Sequence, residues 1–527
     1  MFRPFDQPGR SPVYATNAMA ATSHPLATTT ALTVLREGGN AVDAAIAASA
    51  TLCVVEPHMT GIGGDCFAFV GEPSGAIHAL NASGRAAAGA DLGWYLENDI
   101  REISDTSPHA VTVPGALRGW EKLHQKFGSM DWARLFADAV DYAEGGFPVA
   151  PRVAHDWKNY KTKLAANAGA AKHLLFEGGP PSVGQKISLP ALGHTLSRIA
   201  KEGADAFYQG EIAAGIAATV QALGGFLGEE DLAECEADWV EPIRTTYQGH
   251  EVLQIPPNGQ GITALIILNL LTAGGKHHES LSAKRFHQSM EFARLAYAVR
   301  DAHVSDPATR LITAEAILSE ETTRALLRQY DPEKRNDAIT LPKLPDADTI
   351  YLSVVDRDGL VVSFINSVYS GFGTGIVTEK SGIALQNRGS CFVIEKGHPN
   401  AIGGGKRPMH TIIPGMVVKD GLPAISFGVM GGAYQPVGQA HVLQNLFEYG
   451  MDPQQAIDFP RLFWQPGGVL AAESGITPPI LAGLAACGHE TVPGGPHGGG
   501  QMIVIDRRNG LLIGASDPRK DGHAAGY

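Results

Sequence analysis

The sequence has 527 residues, 44% hydrophobic and 18% charged, which excludes a disordered acidic tail or a coiled-coil rod. Its 63 glycines, about 12% against a usual ~7%, imply many turns and close backbone approaches. A formal net charge of −13 without basic blocks argues against nucleic acid as a partner, although one well-placed arginine can still hold a small anion.

Five cysteines, Cys53, Cys66, Cys235, Cys391 and Cys487, are scattered without CxxC spacing, against a disulfide framework or a thiolate zinc site. The first residues lack the apolar stretch of a signal peptide. The greasiest early run, residues 41–55, is short and carries Asp43, so the expectation is a cytoplasmic protein without a membrane span. Length alone suggests roughly three or four domains at ~150 residues each.

Ser23-His24-Pro25 ahead of residues 26–36 predicts a capped helix that stops at Gly38-Gly39. Asn40 then caps a second helix, residues 41 to about 54, with Asp43 in its first turn and an alanine-rich face for close packing. Pro57 ends it, and Gly61-Ile62-Gly63-Gly64 turns into a short strand over 66–70. Residues 110–330 read as mostly helical, with Phe286, Met290, Ala293 and Tyr297 forming one buried stripe.

The polar run 331–337 and the proline-punctuated run 341–348 make the best linker signal in the chain. Strand patterns follow. Residues 350–355 and 360–365 flank Asp356-Arg357-Asp358-Gly359, an Asp-Gly hairpin signal. A turn centred on Asp358 puts Thr349 opposite Ser367, two hydroxyls at one end of the hairpin. On spacing alone this is an ordinary hairpin after a linker.

Other motifs point away from other chemistries. Gly403-Gly404-Gly405-Lys406-Arg407 lacks the Ser or Thr and the earlier glycine of a P-loop. The glycine-rich run 494–500 reads as a loop at a sheet edge. No HExxH or comparable metal spacing occurs, so neither metal nor cofactor is expected. The remaining histidines are expected on the surface.

Several segments in order resemble the gamma-glutamyltransferase family of N-terminal nucleophile hydrolases. They are Glu37-Gly38-Gly39-Asn40-Ala41-Val42-Asp43-Ala44-Ala45, Glu56-Pro57, Gly61-Ile62-Gly63-Gly64-Asp65 and Thr349-Ile350-Tyr351-Leu352-Ser353-Val354-Val355-Asp356. Phe372-Gly373-Thr374-Gly375-Ile376-Val377, Lys406-Arg407-Pro408, Gly431-Gly432 and Gly514-Ala515-Ser516-Asp517-Pro518-Arg519 follow. The resemblance implies an α+β fold, a four-layer αββα sandwich. It also implies one precursor that cuts itself between Asp348 and Thr349. A helix-rich large subunit, 1–348, and a strand-rich small subunit, 349–527, would then share one intertwined domain.

The implied site follows the same resemblance. Thr349 would be the nucleophile, its freed α-amine the base, and Ser367, at a position usually held by threonine, the amine's hydrogen-bond partner. Gly431 and Gly432 would supply the oxyanion-hole N–H groups. Arg85 aligns with the arginine that binds the substrate carboxylate. Thr411 follows His410 where a serine pair is usual, Tyr369 replaces a substrate-contacting asparagine, and Arg388 stands where a glutamate or glutamine is usual. Cys391 occupies the position of the aspartate that holds the substrate's α-ammonium, and is read as a pocket liner rather than a nucleophile. His410 is read as a polar liner orienting the carboxylate.

Replacing a carboxylate and adding an arginine disfavours a buried ammonium. The expected substrate is a small amide that keeps a carboxylate and lacks an α-amino group. Oxamate is the smallest such molecule, giving oxalate and ammonia, as in the oxamate-hydrolysing branch of the family. A gamma-glutamyl peptide hydrolase or transferase and a glutaryl or cephalosporin-type acylase remain alternatives, as does a binding protein that never cleaves. The expected partners are the small amide and the two subunits of one precursor. A dimer of such heterodimers is compatible with this reading, with no nucleic acid and no membrane.

Overall fold

A computed structural model describes residues 9–275, 278–339, 349–465 and 467–527. Two seven-stranded antiparallel sheets face each other. One runs, edge to edge, through Val13–Ala15, Leu511–Ser516, Gly499–Asp506, Leu422–Met430, Gly415–Lys419, His250–Gln254 and Ile243–Tyr247. The other runs through His523–Gly526, Met19–Thr22, Ile350–Val355, Val361–Ser367, Asp65–Gly71, Ile77–Ala82 and Asp238–Val240. Each sheet therefore draws strands from both sides of the 340–348 segment.

Helices cover the outer faces. Pro25–Arg36 and Ala41–Val55 pack on the second sheet, Gly261–Gly274 and Gln435–Phe447 on the first. The result is the four-layer αββα sandwich that the resemblance implies. Strands covered on both faces are mostly apolar, with any polar side chain hydrogen-bonded, and every residue of Ile350–Val355 and Val361–Ser367 is buried.

Local chemistry accounts for the elements nearest Thr349. Asn40 caps Ala41–Val55 by accepting from the N–H groups of Val42 and Asp43, while Asp43 accepts from Asn40 N–H, a reciprocal cap of about 1 kcal/mol. All of that helix is buried, not one alanine-rich face, because neighbouring helices enclose what the sheet does not. Asp356 accepts from Ala41 N–H at 2.9 Å and from Asp358 and Leu360 N–H at 3.0 Å. One carboxylate thus closes the hairpin turn and docks it on the helix.

The predicted hairpin has the expected register, with Ile350 opposite Asn366, and the predicted strand at 66–70 runs Asp65–Gly71. Phe286, Met290, Ala293 and Tyr297 are buried along the helix Ala283–His303. The first helix is capped as expected, by His24 accepting from Leu26 N–H, while the Ser23 hydroxyl donates to Glu56. The 110–330 region is not all helix: residues 238–254 add three strands, whose short lengths gave too little alternation to read. The glycine-rich run 494–500 is no edge loop, since it leads into Gly499–Asp506, an inner strand between Leu422–Met430 and Leu511–Ser516. Several histidines expected on the surface, His24, His58, His287 and His489, are buried.

The two sheets are held at a close spacing near Thr349. The Tyr351 hydroxyl meets the hydroxyls of Ser353, Ser363 and Ser426 at 2.9, 2.7 and 3.3 Å. Its ring lies over Gly428, where any Cβ would overlap it. Residue 428 is glycine because the facing sheet occupies that space.

Candidate active site

Thr349 opens the strand Ile350–Val355 and is fully buried. The register that pairs Ile350 with Asn366 puts it opposite Ser367, and the two hydroxyl oxygens are 3.2 Å apart. Asn366 Nδ2 donates to Thr60 Oγ1 at 2.7 Å and to the Gly61 carbonyl at 3.2 Å. That brings the Gly61–Gly64 turn against the strand end, where a Cβ on Gly64 would overlap the Ser367 carbonyl. The next turn is strained. Tyr369 has φ 81°, a left-handed conformation costing of order 1–3 kcal/mol, and is held by its N–H donating to Ser367 Oγ at 2.9 Å.

Behind Tyr369 lies Arg388, also fully buried, with its guanidinium carbon 4.2 Å from the Tyr369 ring centre. Its Nη1 donates to Thr411 Oγ1 at 2.7 Å. Among the described residues Nε and Nη2 have no hydrogen-bonded oxygen or nitrogen, the Cys391 thiol being the further side chain against the guanidinium, and no carboxylate forms an ion pair with Arg388. Tyr369, Cys391 and Thr411 line a cleft of about 1350 Å³, which Arg300, Asp301 and Asn400 also border. Burial pushes the Cys391 thiol and the Tyr369 phenol up, against the opposing pull of Arg388, so both stay protonated near neutral pH. A protonated thiol is a poor nucleophile.

The glycine pair follows the strand Leu422–Met430. Gly431 and Gly432 have φ 117° and 50°, which lets the chain turn sharply into Gln435–Phe447. A Cβ on Gly431 would sit 2.9 Å from Gly498 Cα, so the glycine-rich run packs directly on the pair. The Gly431 carbonyl accepts from Tyr434 N–H at 2.8 Å. The Gly432 carbonyl accepts from Gln260 Nε2 at 3.0 Å, and the same amide nitrogen donates to the Thr411 carbonyl at 2.8 Å. Thr349, Ser367 and Tyr369 thus form one hydrogen-bonded group, and Arg388, Thr411, Gln260 and Gly432 form another, meeting where the Arg388 guanidinium covers the Tyr369 ring.

Two predicted residues lie elsewhere. Arg85 is exposed and does not line the cleft; its Nη1 donates to the Gly405 carbonyl at 2.9 Å and lies 3.6 Å from Asp306. The loop conformation turns it outward, so it is not gathered with Thr411 and Arg388. His410 is fully buried and is not a cleft liner either. Its Nε2–H donates to Asp65 Oδ2 at 3.0 Å and its Nδ1 accepts from Ile412 N–H at 3.3 Å. Burial first, and the Arg388 charge second, push its pKa down to about 4, so it is neutral near pH 7. Both ring nitrogens are committed to the scaffold.

Sequence reasoning missed Gln260 and Arg300, and saw Tyr297 only as core. The available signal was Pro256-Pro257-Asn258-Gly259-Gln260-Gly261, a turn-rich run directly ahead of an apolar helix. Among the described residues, no cluster of His, Cys, Asp or Glu is arranged to hold a metal ion, and no helix is long and apolar enough to cross a membrane.

Residues 27–527 match the protein family described as Gamma-glutamyltranspeptidase. The chain is 36% identical to the oxamate amidohydrolase proenzyme of Klebsiella pneumoniae, over 97% of this chain and 99% of that one. It is 35% identical to the glutathione hydrolase-like YwrD proenzyme of Bacillus subtilis, over 98% and 99%. Its structure is similar to that of a cephalosporin acylase from Bacillus halodurans, with a TM-score of 0.93, 38% identity and coverage of 100% and 99%. A Helicobacter pylori gamma-glutamyltranspeptidase superposes with a TM-score of 0.56 at 27% identity, over 61% of this chain and 93% of that one. The near-complete span of these matches, together with the αββα sandwich and the hydroxyl pair at its strand ends, gives the conclusion that the chain belongs to the gamma-glutamyltranspeptidase family.

Proposed function

We propose that the protein is a self-processing amide hydrolase whose substrate carries a carboxylate and no α-ammonium, with oxamate as the specific substrate. The observation that carries this reading is Arg388, a buried cation behind the cleft wall of Tyr369 and Thr411, with two nitrogens that meet no hydrogen-bonded oxygen or nitrogen among the described residues. A buried charge without a partner costs several kcal/mol, and an anionic substrate group in the adjoining cleft offsets that cost. A γ-glutamyl ammonium placed there would meet repulsion instead. The carboxylate-binding role expected of Arg85 passes to Arg388 and the Thr411 hydroxyl.

The chemistry follows from position. Cleavage of the Asp348–Thr349 bond frees the Thr349 amine, whose ordinary pKa of roughly 7.7–8 suits a base near neutral pH. Asp348 itself lies outside the described residues. The amine takes the hydroxyl proton, Thr349 Oγ1 attacks the amide carbon, and ammonia leaves with that proton; water then releases the acid from the ester. Gly431 and Gly432 N–H groups stabilise the oxyanion. Segments 1–348 and 349–527 stay together because each sheet contains strands of both.

A second reading, a glutaryl or cephalosporin-type acylase, is favoured by the cleft of about 1350 Å³, far larger than oxamate needs, and shares the carboxylate anchor. The test is a denaturing gel with N-terminal sequencing, followed by turnover of oxamate, a glutaryl amide and a γ-glutamyl anilide. Two bands with Thr349 as a new N-terminus, and ammonia release from oxamate above the other two, support the reading. A chain that stays intact sinks the self-processing chemistry. Preference for the glutaryl amide selects the second reading, and preference for the anilide overturns the assignment of Arg388.

A further inference from the structure

The loop before helix Gly261–Gly274 runs alongside the segment that carries Thr411. His410 N–H donates to the Asn258 carbonyl at 2.9 Å, and Gln260 N–H returns to the His410 carbonyl at 2.8 Å. This pairing places the fully buried Gln260 side chain between the segment leading into Gly415–Lys419 and the turn leaving Leu422–Met430, neighbouring strands of one sheet. Its Nε2 donates to the Thr411 carbonyl at 2.8 Å and to the Gly432 carbonyl at 3.0 Å. Its Oε1 accepts from Arg300 Nη1 at 2.9 Å.

The neighbours admit one orientation of that carboxamide. Turned over, it would set its oxygen against two carbonyl oxygens and its NH₂ against a guanidinium. Arg300 is held in turn by Asp301 Oδ1 at 2.7 Å and stacks on Tyr297 at 4.5 Å. The Tyr297 hydroxyl donates to the Ala433 carbonyl. Three successive carbonyls, those of Gly431, Gly432 and Ala433, therefore each have a fixed donor: Tyr434 N–H, Gln260 Nε2 and Tyr297 Oη.

A trans peptide points its N–H opposite to its C=O, so the anchored Gly431 carbonyl aims Gly432 N–H and the anchored Gly432 carbonyl aims Ala433 N–H, the two peptides meeting at Gly432 Cα. The torsions at Gly431 and Gly432 carry no side chain to restrain them, and φ values of 117° and 50° lie where only glycine moves freely. External hydrogen bonds must supply the rigidity that preorganised oxyanion donors require. The second donation from Gln260 ties that backbone to Thr411, whose hydroxyl meets Arg388.

We propose that Gln260 is a positioning residue that fixes the Gly432–Ala433 peptide in register with the Thr411–Arg388 anchor and so restrains Gly432 N–H through the shared Cα, with Arg300 holding the amide oxygen. The proposal rests on the amide-hydrolase reading above. Its test uses Gln260→Met, which keeps length and loses all three hydrogen bonds, and Arg300→Met, which leaves Gln260 on its two carbonyls but removes the donor to its oxygen. Each is compared with wild type in a crystal structure and in kinetics on whichever amide the wild type cleaves. The expected result for Gln260→Met is a rotated Gly432–Ala433 peptide and a kcat about 100-fold lower, with KM within about threefold. An alkyl boronate, which mimics the tetrahedral anion, loses affinity in parallel, while a simple dicarboxylate product anion binds within about threefold of wild type. Arg300→Met gives a smaller loss, about tenfold, and covers the case in which Gln260→Met does not fold.

An unmoved peptide with kcat within threefold of wild type overturns the proposal. So does a loss shared equally by the boronate and the product anion, which marks general disruption of the site. A wild type inactive on every amide overturns the functional reading instead, and the crystal structures still decide whether Gln260 holds the peptide.

Discussion

Asp65 and Arg388 are both fully buried near the Thr349 end of the sandwich, and they meet their surroundings in opposite ways. Asp65 Oδ1 accepts from Gly84 N–H, Gly115 N–H and Gln386 Nε2 at 2.9, 3.0 and 3.0 Å, and Oδ2 accepts from His410 at 3.0 Å. Among the described residues Arg388 gives one hydrogen bond to oxygen, at Thr411, lies beside the Cys391 thiol and rests on an aromatic face. A saturated buried charge organises backbone: four chain segments converge on the Asp65 carboxylate. An unsaturated one has capacity left for something else. The contrast separates scaffold from site more sharply than residue type does, since His410, the more reactive-looking side chain, falls on the scaffold side.

Substitutions can break or sharpen this contrast. The largest effect is expected from Thr349→Ala, which in the proposed mechanism abolishes self-cleavage and lowers turnover by about 10⁴-fold or more, read by gel and ammonia assay. Retained ammonia release would move the nucleophile elsewhere. Asp65→Ala strands four donors and is expected to cost about 3–5 kcal/mol in urea unfolding. Arg388→Met should do the reverse: kcat/KM for the carboxylate-bearing amide falls about 100-fold, chiefly through KM, while stability holds or rises by about 1–2 kcal/mol. If Arg388→Met destabilises as Asp65→Ala does, the guanidinium is scaffold and the contrast fails.

Protonation tests the scaffold side. His410 has its pKa pushed down to about 4 in the folded chain, against about 6.5 when unfolded. Between those values the unfolded chain binds more protons, so the histidine's contribution is complete above pH 6.5 and is lost as pH falls toward about 4, up to about 3 kcal/mol. Urea midpoints from pH 7 to 4 should therefore fall less steeply in His410→Gln than in wild type; parallel slopes would refute the assignment. The smallest effect is expected at Ser367→Ala. It removes one buried hydroxyl partner of Thr349 at 3.2 Å, about 1 kcal/mol, and should slow processing about tenfold in a timed gel.

Much of this was legible in the residues. The Asn40 cap, the buried stripe on Ala283–His303 and the pairing of Thr349 with Ser367 are local consequences of capping, helical spacing and a two-ended hairpin. Such features depend on residues within a few positions of one another, or on a register counted from one turn. The strands at 238–254 escaped because each is three to five residues long, too short for a period-two pattern to stand out.

What the sequence by itself determined was the family, the order of its motifs and the register that sets Thr349 opposite Ser367. Only the tertiary structure decided which charged groups are satisfied. Arg85 and Arg388 read alike as arginines, yet one is turned out to solvent and the other is enclosed without a counter-charge among the described residues. His410 is consumed by an aspartate 345 residues away, and Gln260 reaches a carbonyl 172 residues away. Hydrogen-bond saturation depends on which distant donors and acceptors the fold brings within about 3 Å, and no spacing along the chain encodes that distance.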